Sequence, residues 1–381
     1  MKKKVKIVAD DKIPFLKGVL EPFAEIKYLP GKDITKDEII DTDALIIRTR
    51  TKCNAELLEA TNVKFIATAT IGIDHIDTDY CEKNNIKWVN APGCNSSSVM
   101  QYVTSALLTV AEKEKFNLKE KTIGIVGVGN VGSKVQRMAE IIGMNVLLND
   151  PPRARKEGGS QFVDMETIME KSDIITFHVP LIKEGKDKTY HLANEKFFEK
   201  LKNNPFIINS SRGEVVKTLA IKNAIREGNV NSVVIDVWEN EPNIDLELLD
   251  LVDFGTPHIA GYSADGKANG TAASVNKLNE FFHLGLQSDW YPENIPIPPD
   301  GNEIYIDCDN MSEQEILFEA VSKTYSIAYD DKILKISPAT FEIQRGDYRL
   351  RREFDSYNIQ LNNCDEDIKA KIKKLKFKVK G

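Results

Sequence analysis

Between Lys121 and Asp150 the chain reads KTIGIVGVGNVGSKVQRMAEIIGMNVLLND, and no other stretch constrains the fold as much. A short apolar run, Thr122 to Val126, leads into Gly127-x-Gly129-x-x-Gly132. A helical pattern follows to about Gly143, a second apolar run spans Asn145 to Leu148, and Asp150 closes the segment. Strand, glycine turn, helix, strand and carboxylate in that order make a βαβ unit of the dinucleotide-binding kind. Gly127 permits a tight turn, Gly129 lets a pyrophosphate approach the backbone, and Gly132 lets the helix pack on the strand, with Asn130 and Val131 completing the loop. The helix start aims free N–H groups and a positive dipole end at the phosphates. Asp150 stands where a carboxylate binds the ribose hydroxyls and repels the extra phosphate of NADP, so NAD is the expected cofactor. Arg153 and Arg155, which follow in DPPRAR, read as solvated loop charges rather than as ligands of that phosphate.

At 381 residues the chain is long enough for two or three domains. A formal charge of −7, with no basic block interleaved with aromatics, argues against a nucleic-acid footprint. No apolar run reaches the ~18 residues of a membrane helix. Met1-Lys2-Lys3-Lys4 resembles the start of a signal peptide, but the following VKIVAD is too short and too charged for an apolar signal core and reads as a strand. Five cysteines, odd in number and with no CxxC pair, suit reduced thiols and offer neither a disulfide framework nor a metal site. A soluble cytoplasmic protein with no nucleic-acid or membrane partner is expected.

Short apolar runs alternate with helical stretches along most of the chain, as in doubly wound parallel sheets. Strands are expected at Val5–Ala9, Glu25–Leu29, Ala44–Arg48, Lys64–Thr68 and Lys87–Asn90, with helices at Pro14–Phe23, Asn54–Ala60 and Thr78–Asn84. A long helix over Val99 to about Lys115 carries the chain into the dinucleotide unit. Further strands fall at Ile174–Phe177, Phe206–Asn209 and Val233–Val237, and a helix over Ser274–Leu284 would return toward the first domain. The proline-dense YPENIPIPPDG, Tyr291 to Gly301, reads as a linker to a small α/β tail. In that tail a strand is expected at Glu303–Asp307 and a helix over Glu313–Tyr325.

Three segments after the dinucleotide unit carry the polar residues of a dehydrogenase. NSSRGE places Arg212 behind the apolar FIIN, DVWENEP places Asp236 and Glu241 after the next strand, and TPHIAGY sets His258 ahead of small residues. Ligands of open α/β sheets bind at such strand ends. Oxidising a 2-hydroxy acid needs a base, a carboxylate clamp and a hydride acceptor. His258 can accept the hydroxyl proton near neutral pH, Glu241 can orient the imidazole, and the planar fork of Arg212 can hold a carboxylate. Taken one at a time each residue has an ordinary structural alternative; their order after successive strands favours the site. His75 reads as serving a helix start, His178 as structural or cofactor-adjacent, and His191 and His283 as lacking partner spacing.

TATIGIDHID (Thr68–Asp77), APGCN (Ala91–Asn95), DPPRA, TFHVPL (Thr176–Leu181), DVWENEP and GTPHIAGYSADGKANGT (Gly255–Thr271), together with the glycine turn, resemble the D-isomer-specific 2-hydroxyacid dehydrogenases. The tail string YRLRRE (Tyr348–Glu353) resembles one branch of that family, whose substrate is a phosphorylated 2-hydroxy acid. The resemblance implies α/β architecture in three parts. A flavodoxin-like substrate-binding lobe would comprise residues 1–98 and 281–300, a Rossmann NAD lobe residues 99–280, and a C-terminal homodimerisation domain residues 301–381. It carries the catalytic roles onto Arg212, Glu241 and His258. Substrate contacts fall on Thr49, Thr70 and Tyr262, and cofactor contacts on Asp150, Val179, Ser211, Asp236 and Gly261. Val179 and Ser211 stand where relatives carry threonine and cysteine. The substrate phosphate calls for cations: Arg48 and Arg50 are the nearest candidates, and Arg351 or Arg352 of the tail could reach it, within the chain or from a partner subunit, although an interface salt bridge is the preferred reading of those two. The alternatives are a dehydrogenase of another acid, such as 3-phosphoglycerate, and an NAD-sensing interaction protein that keeps the fold.

Overall fold

The computed structural model describes residues 4–380; Met1–Lys3, with most of the lysine-rich start, and Gly381 lie outside the described residues. The chain divides into two compact units, Met1–Asn95 with Ser263–Pro296, and Ser96–Tyr262 with Ile297–Gly381. The tail, a small α/β part with its own parallel three-stranded sheet, falls within the second of these units.

The first unit is built on β1 (Lys6–Asp10), β2 (Glu25–Leu29), β3 (Ala44–Ile47), β4 (Phe65–Thr68) and β5 (Lys87–Val89). All are parallel, in the order β2-β1-β3-β4-β5. Alternate residues point to opposite faces. Val8, Leu45, Ile47 and Ile66 thus meet Leu57, Leu58 and Cys81 on one side. Ile7, Ala9, Ile46 and Phe65 meet Val275 and Leu278 of the helix Ala264–Phe282 on the other. The helix expected over Pro14–Phe23 is absent. Phe15 and Gly18 take left-handed backbone, φ 63° and 87°, which an α-helix cannot accommodate. The segment forms turns that still bury Leu16 and Leu20.

In the second unit β6 (Thr122–Val126), β7 (Asn145–Asn149), β8 (Ile174–Phe177), β9 (Phe206–Asn209), β10 (Val233–Ile235) and β11 (Phe254–Gly255) form a parallel sheet ordered β11-β10-β9-β8-β6-β7. The order in which strands are added reverses at β6, with β7 on one side and β8 on the other, so the carboxyl ends of β6 and β8 open a switch point beside the glycine turn. The tail adds β12 (Glu303–Asp307), β13 (Asn358–Asn362) and β14 (Lys378–Lys380), also parallel. The helix expected over Glu313–Tyr325 runs from Glu313 to Ser322, and a second helix, Ile327–Ile336, follows it. Leu317, Val321 and Tyr325 share one core with Tyr102, Val103 and Leu107 of the helix Ser96–Glu114, which explains why the tail belongs to this unit. Among the described residues no helix is long and apolar enough to cross a membrane, and no cluster of His, Cys, Asp and Glu is arranged to hold a metal.

Candidate active site

The glycine turn has the geometry its sequence implies. Gly127 has φ 88°, and a Cβ there would come 2.7 Å from the His178 carbonyl oxygen and 2.8 Å from Val179 Cγ1. A Cβ on Gly132 would lie 2.0 Å from the Gly127 oxygen, so only glycine lets the helix Gly132–Ile142 start there. At Gly129 a Cβ would meet nothing within 4 Å: the space a pyrophosphate would take is open. Asp150 is tied to this turn, accepting the Val128 N–H at 2.8 Å and the Arg153 N–H at 3.0 Å. The open loop, the helix start and the carboxylate fit a dinucleotide.

Arg153 and Arg155 are not loop charges. They lie on a helix, Pro151–Glu157, that Asp150 caps. Arg153 pairs with Glu157 at 2.8 Å and Arg155 with Asp187 at 2.5 Å, so each already has a carboxylate.

The three expected catalytic segments leave the same carboxyl edge of the sheet, after β9, β10 and β11. His258 Nδ1 and Glu241 Oε2 are 2.7 Å apart, and the other Glu241 oxygen accepts the Trp238 N–H at 2.9 Å. Burial alone would raise the Glu241 carboxyl, but the hydrogen bond and charge of His258, the Trp238 N–H and the Arg345 cation together hold it below its ordinary value. His258 itself takes left-handed backbone, φ 56°, a conformation uncommon for a side-chain-bearing residue. Asp236 holds it so. This buried carboxylate accepts the Thr256 hydroxyl (2.7 Å), the Ile259 N–H (2.8 Å) and the Ala260 N–H (3.0 Å), while its carbonyl accepts the His258 N–H (2.7 Å). Burial raises the Asp236 carboxyl, opposed by the charge of His258 and by these donors.

Arg212 sits on a turn that Asn209 organises. The Asn209 Oδ1 accepts the Ser211 N–H and hydroxyl, and its Nδ2 donates to the Arg212 carbonyl at 3.0 Å. A Cβ on Gly213 would lie 2.0 Å from the Trp238 carbonyl carbon. The arginine turn is therefore pressed against the strand end that leads to Glu241. The half-buried guanidinium donates to the Ser211 carbonyl at 2.8 Å.

In the first unit, Arg48 grips the buried Asp10 through Nε (3.1 Å) and Nη2 (3.3 Å), and Thr49 is exposed beside it. Thr70 bonds Thr68 at 2.8 Å, and the Thr68 hydroxyl in turn meets His75 Nε2 at 3.1 Å. His75 thus does not serve the helix start, which Asp77 caps. Its ring joins the hydroxyls that fix Thr70, and burial pulls its basicity down against the charge of Asp74.

The tail arginines also depart from expectation. Arg351 is only 2% exposed, stacked 4.5 Å from the Tyr325 ring centroid and donating to the Ala260 carbonyl. It is packed in the core, with its Nε and Nη1 buried without a hydrogen-bond partner. The carbonyl of Arg352 accepts from Gln101 at 3.0 Å. The tail residue beside the candidate site is Arg345, which sequence reading missed. His191 does have a partner, Glu239 at 2.7 Å. His178 meets the Thr176 hydroxyl at 3.0 Å, and burial pushes its imidazole down to about 3.

Residues 101–260 match the family model of the D-isomer specific 2-hydroxyacid dehydrogenase NAD binding domain, and residues 299–375 match one described as a domain of unknown function, DUF3410. Among solved structures, a D-lactate dehydrogenase from Aquifex aeolicus complexed with NAD and lactic acid is similar with a TM-score of 0.61 at 26% identity, covering 73% of this chain and 95% of that one. An NAD+-bound 3-phosphoglycerate dehydrogenase from Entamoeba histolytica gives 0.62 at 26% identity, covering 75% and 98%. Fold, strand-end residues and matched sequence make this chain a D-isomer-specific 2-hydroxyacid dehydrogenase by family. A Bacteroides thetaiotaomicron protein named erythronate-4-phosphate dehydrogenase is 54% identical over 93% of this chain and 99% of its own length. One of the same name from Porphyromonas gingivalis is 43% identical over 93% and 95%. Within the wider class, the chain belongs to the erythronate-4-phosphate dehydrogenase family.

Proposed function

We propose that this chain oxidises 4-phospho-D-erythronate to 3-hydroxy-2-oxo-4-phosphooxybutanoate with NAD, a step of pyridoxine (vitamin B6) biosynthesis. The observation that carries the chemistry is the 2.7 Å His258–Glu241 pair at the edge of a dinucleotide-type sheet. The substrate follows from the relatives' name. His258 Nε2 takes the proton of the C2 hydroxyl as the C–O double bond forms. Glu241 fixes the tautomer by accepting the Nδ1 proton and steadies the imidazolium that results. Arg212 holds the substrate carboxylate and polarises the forming carbonyl. NAD supplies the acceptor for the C2 hydride.

In this reading Gly127, Gly129, Asn130, Val131 and Gly132 cradle the pyrophosphate and Asp150 takes the ribose. Val179, Ser211, Asp236 and Gly261 complete the cofactor site, Val179 through its backbone. Thr49, Thr70 and Tyr262 are assigned to the substrate, and Arg48 and Arg50 to its phosphate. A homodimer formed through the tail is supported by the apolar side chains that the tail exposes, Tyr329, Ile336 and Ile343 among them. A cytoplasmic enzyme is in keeping with the thiol content.

Rates of NADH formation on 4-phospho-D-erythronate and on 3-phosphoglycerate test the assignment. Higher kcat/KM on the erythronate compound is expected. Preference for phosphoglycerate would move the chain to the alternative activity, and no NADH from either acid would leave only a sensor.

A further inference from the structure

The tail grips the His258 turn at both ends. At the entry, Asp331 of the helix Ile327–Ile336 accepts the Gly255 N–H at 2.7 Å. At the exit, Arg351 Nη2 donates to the Ala260 carbonyl at 2.5 Å, while the Ala260 N–H is held by Asp236. Both peptide groups of Ala260 are therefore fixed, two residues beyond His258. Between these ends Tyr102 donates to the Thr256 hydroxyl at 2.8 Å, whose own proton goes to Asp236. The Tyr102 ring lies 5.9 Å from that of Tyr325, on which Arg351 stacks. The turn's last residue, Tyr262, has the Arg345 guanidinium 5.9 Å from its ring centroid and Tyr348 edge-on at 6.0 Å.

Burying a guanidinium is costly, and Arg351 carries two buried nitrogens with no hydrogen-bond partner. A methionine would fill the same space beside Tyr325 without that cost. What the arginine adds is a donor aimed at the His258 turn. The segment that carries it is itself anchored: Gln101 donates to the Arg352 carbonyl at 3.0 Å and to the Thr324 hydroxyl at 3.1 Å, and Ser98 donates to Glu353 at 2.7 Å. Arg351 thus reaches Ala260 from fixed backbone in the same unit. We propose that Arg351 is a positioning residue for His258: its bond to the Ala260 carbonyl, with that of Asp331 to the Gly255 N–H, clamps the turn to the tail and so sets where the imidazole stands. The proposal rests on His258 being the base, and it gives the tail a role in the reaction beyond assembly.

The test pairs amide hydrogen exchange with kinetics in the full-length protein. Arg351→Met fills the space without the donor, and Asp331→Ala removes the acceptor at the other end. In both, exchange in the peptide Gly255–Tyr262 should quicken by ~3–10-fold, the worth of one hydrogen bond, while the Gly127–Gly132 loop exchanges as in wild type. In Arg351→Met, kcat on 4-phospho-D-erythronate should fall by ~10–100-fold, the scale of a displacement of about 1 Å at a reacting group, with the KM for NAD little changed. Arg351→Lys keeps a cation and a donor for the carbonyl and should recover most of that loss. A packing role alone predicts otherwise: a lower urea midpoint, wild-type kcat per folded molecule, and lysine no better than methionine. That pattern, or unchanged exchange of the turn in both variants, would overturn the proposal. Should Arg351→Met fail to fold, Asp331→Ala decides at the other end of the turn, faster exchange with lower kcat supporting the clamp and wild-type behaviour overturning it. Exchange needs no turnover, so a wild-type protein that forms no NADH would count against the proposed reaction while the turn's exchange still decides the clamp.

Discussion

Replacing His258 with alanine is expected to lower turnover by roughly 10²–10⁴-fold, the range for a positioned acid–base group. NAD affinity should change little, because the glycine turn and Asp150 lie at the ends of β6 and β7 whereas His258 follows β11. The loss should fall on kcat and kcat/KM together, as for an interaction made in the transition state. Stopped-flow turnover beside a titration of NAD binding checks both halves, with circular dichroism to show that the variant is folded. Folded protein with turnover within a factor of a few of wild type would remove His258 from the chemistry.

The second large effect is expected at Asp236, and on stability. Asp236→Ala removes the acceptor of three buried donors: the Thr256 hydroxyl and the Ile259 and Ala260 N–H groups. A buried donor left unpaired costs about 1–3 kcal/mol. Together they take away on the order of several kcal/mol from a native state that typically holds by only about 5–15. Asp236→Asn keeps one oxygen but turns an N–H₂ toward donors, so it should cost less, about 1–3 kcal/mol. Urea unfolding measures both, and the order wild type, asparagine, alanine is expected. The same substitutions release the left-handed turn at His258, so the asparagine variant should also lose activity out of proportion to its lost stability. Wild-type unfolding midpoints in both variants would mean that this carboxylate does not hold the turn.

Much of the sheet architecture was legible because parallel strands buried on both faces read as short apolar runs bounded by turn residues. β2 and β12 fall where expected to the residue, while β11, only two residues long, leaves no pattern to read. The helix expected over Pro14–Phe23 shows the opposite error: Leu16 and Leu20 keep helical spacing and are buried, yet the backbone at Phe15 and Gly18 is left-handed. Local periodicity records burial without recording dihedrals. Within the site, Arg212, Glu241 and His258 were visible because each follows a strand, and strand ends of a parallel sheet converge by topology. Side chains paired across long stretches of chain were not. Nothing local links His191 to Glu239, or His75 to Thr68 and Thr70. YRLRRE drew attention to Arg351, but tertiary packing buries that residue under Tyr325 and delivers Arg345 instead. The Glu342–Arg345 spacing, three residues apart on one helix, was the available signal, and it reads as an ordinary surface pair.

The most direct test is a crystal structure of the dead-end complex of the wild-type protein with NADH and 4-phospho-D-erythronate. His258 Nε2 should lie about 2.6–3.2 Å from the substrate's C2 hydroxyl oxygen, with the Arg212 fork on the carboxylate of the same molecule. An imidazole turned away from that hydroxyl, or a carboxylate bound without Arg212, would contradict the mechanism.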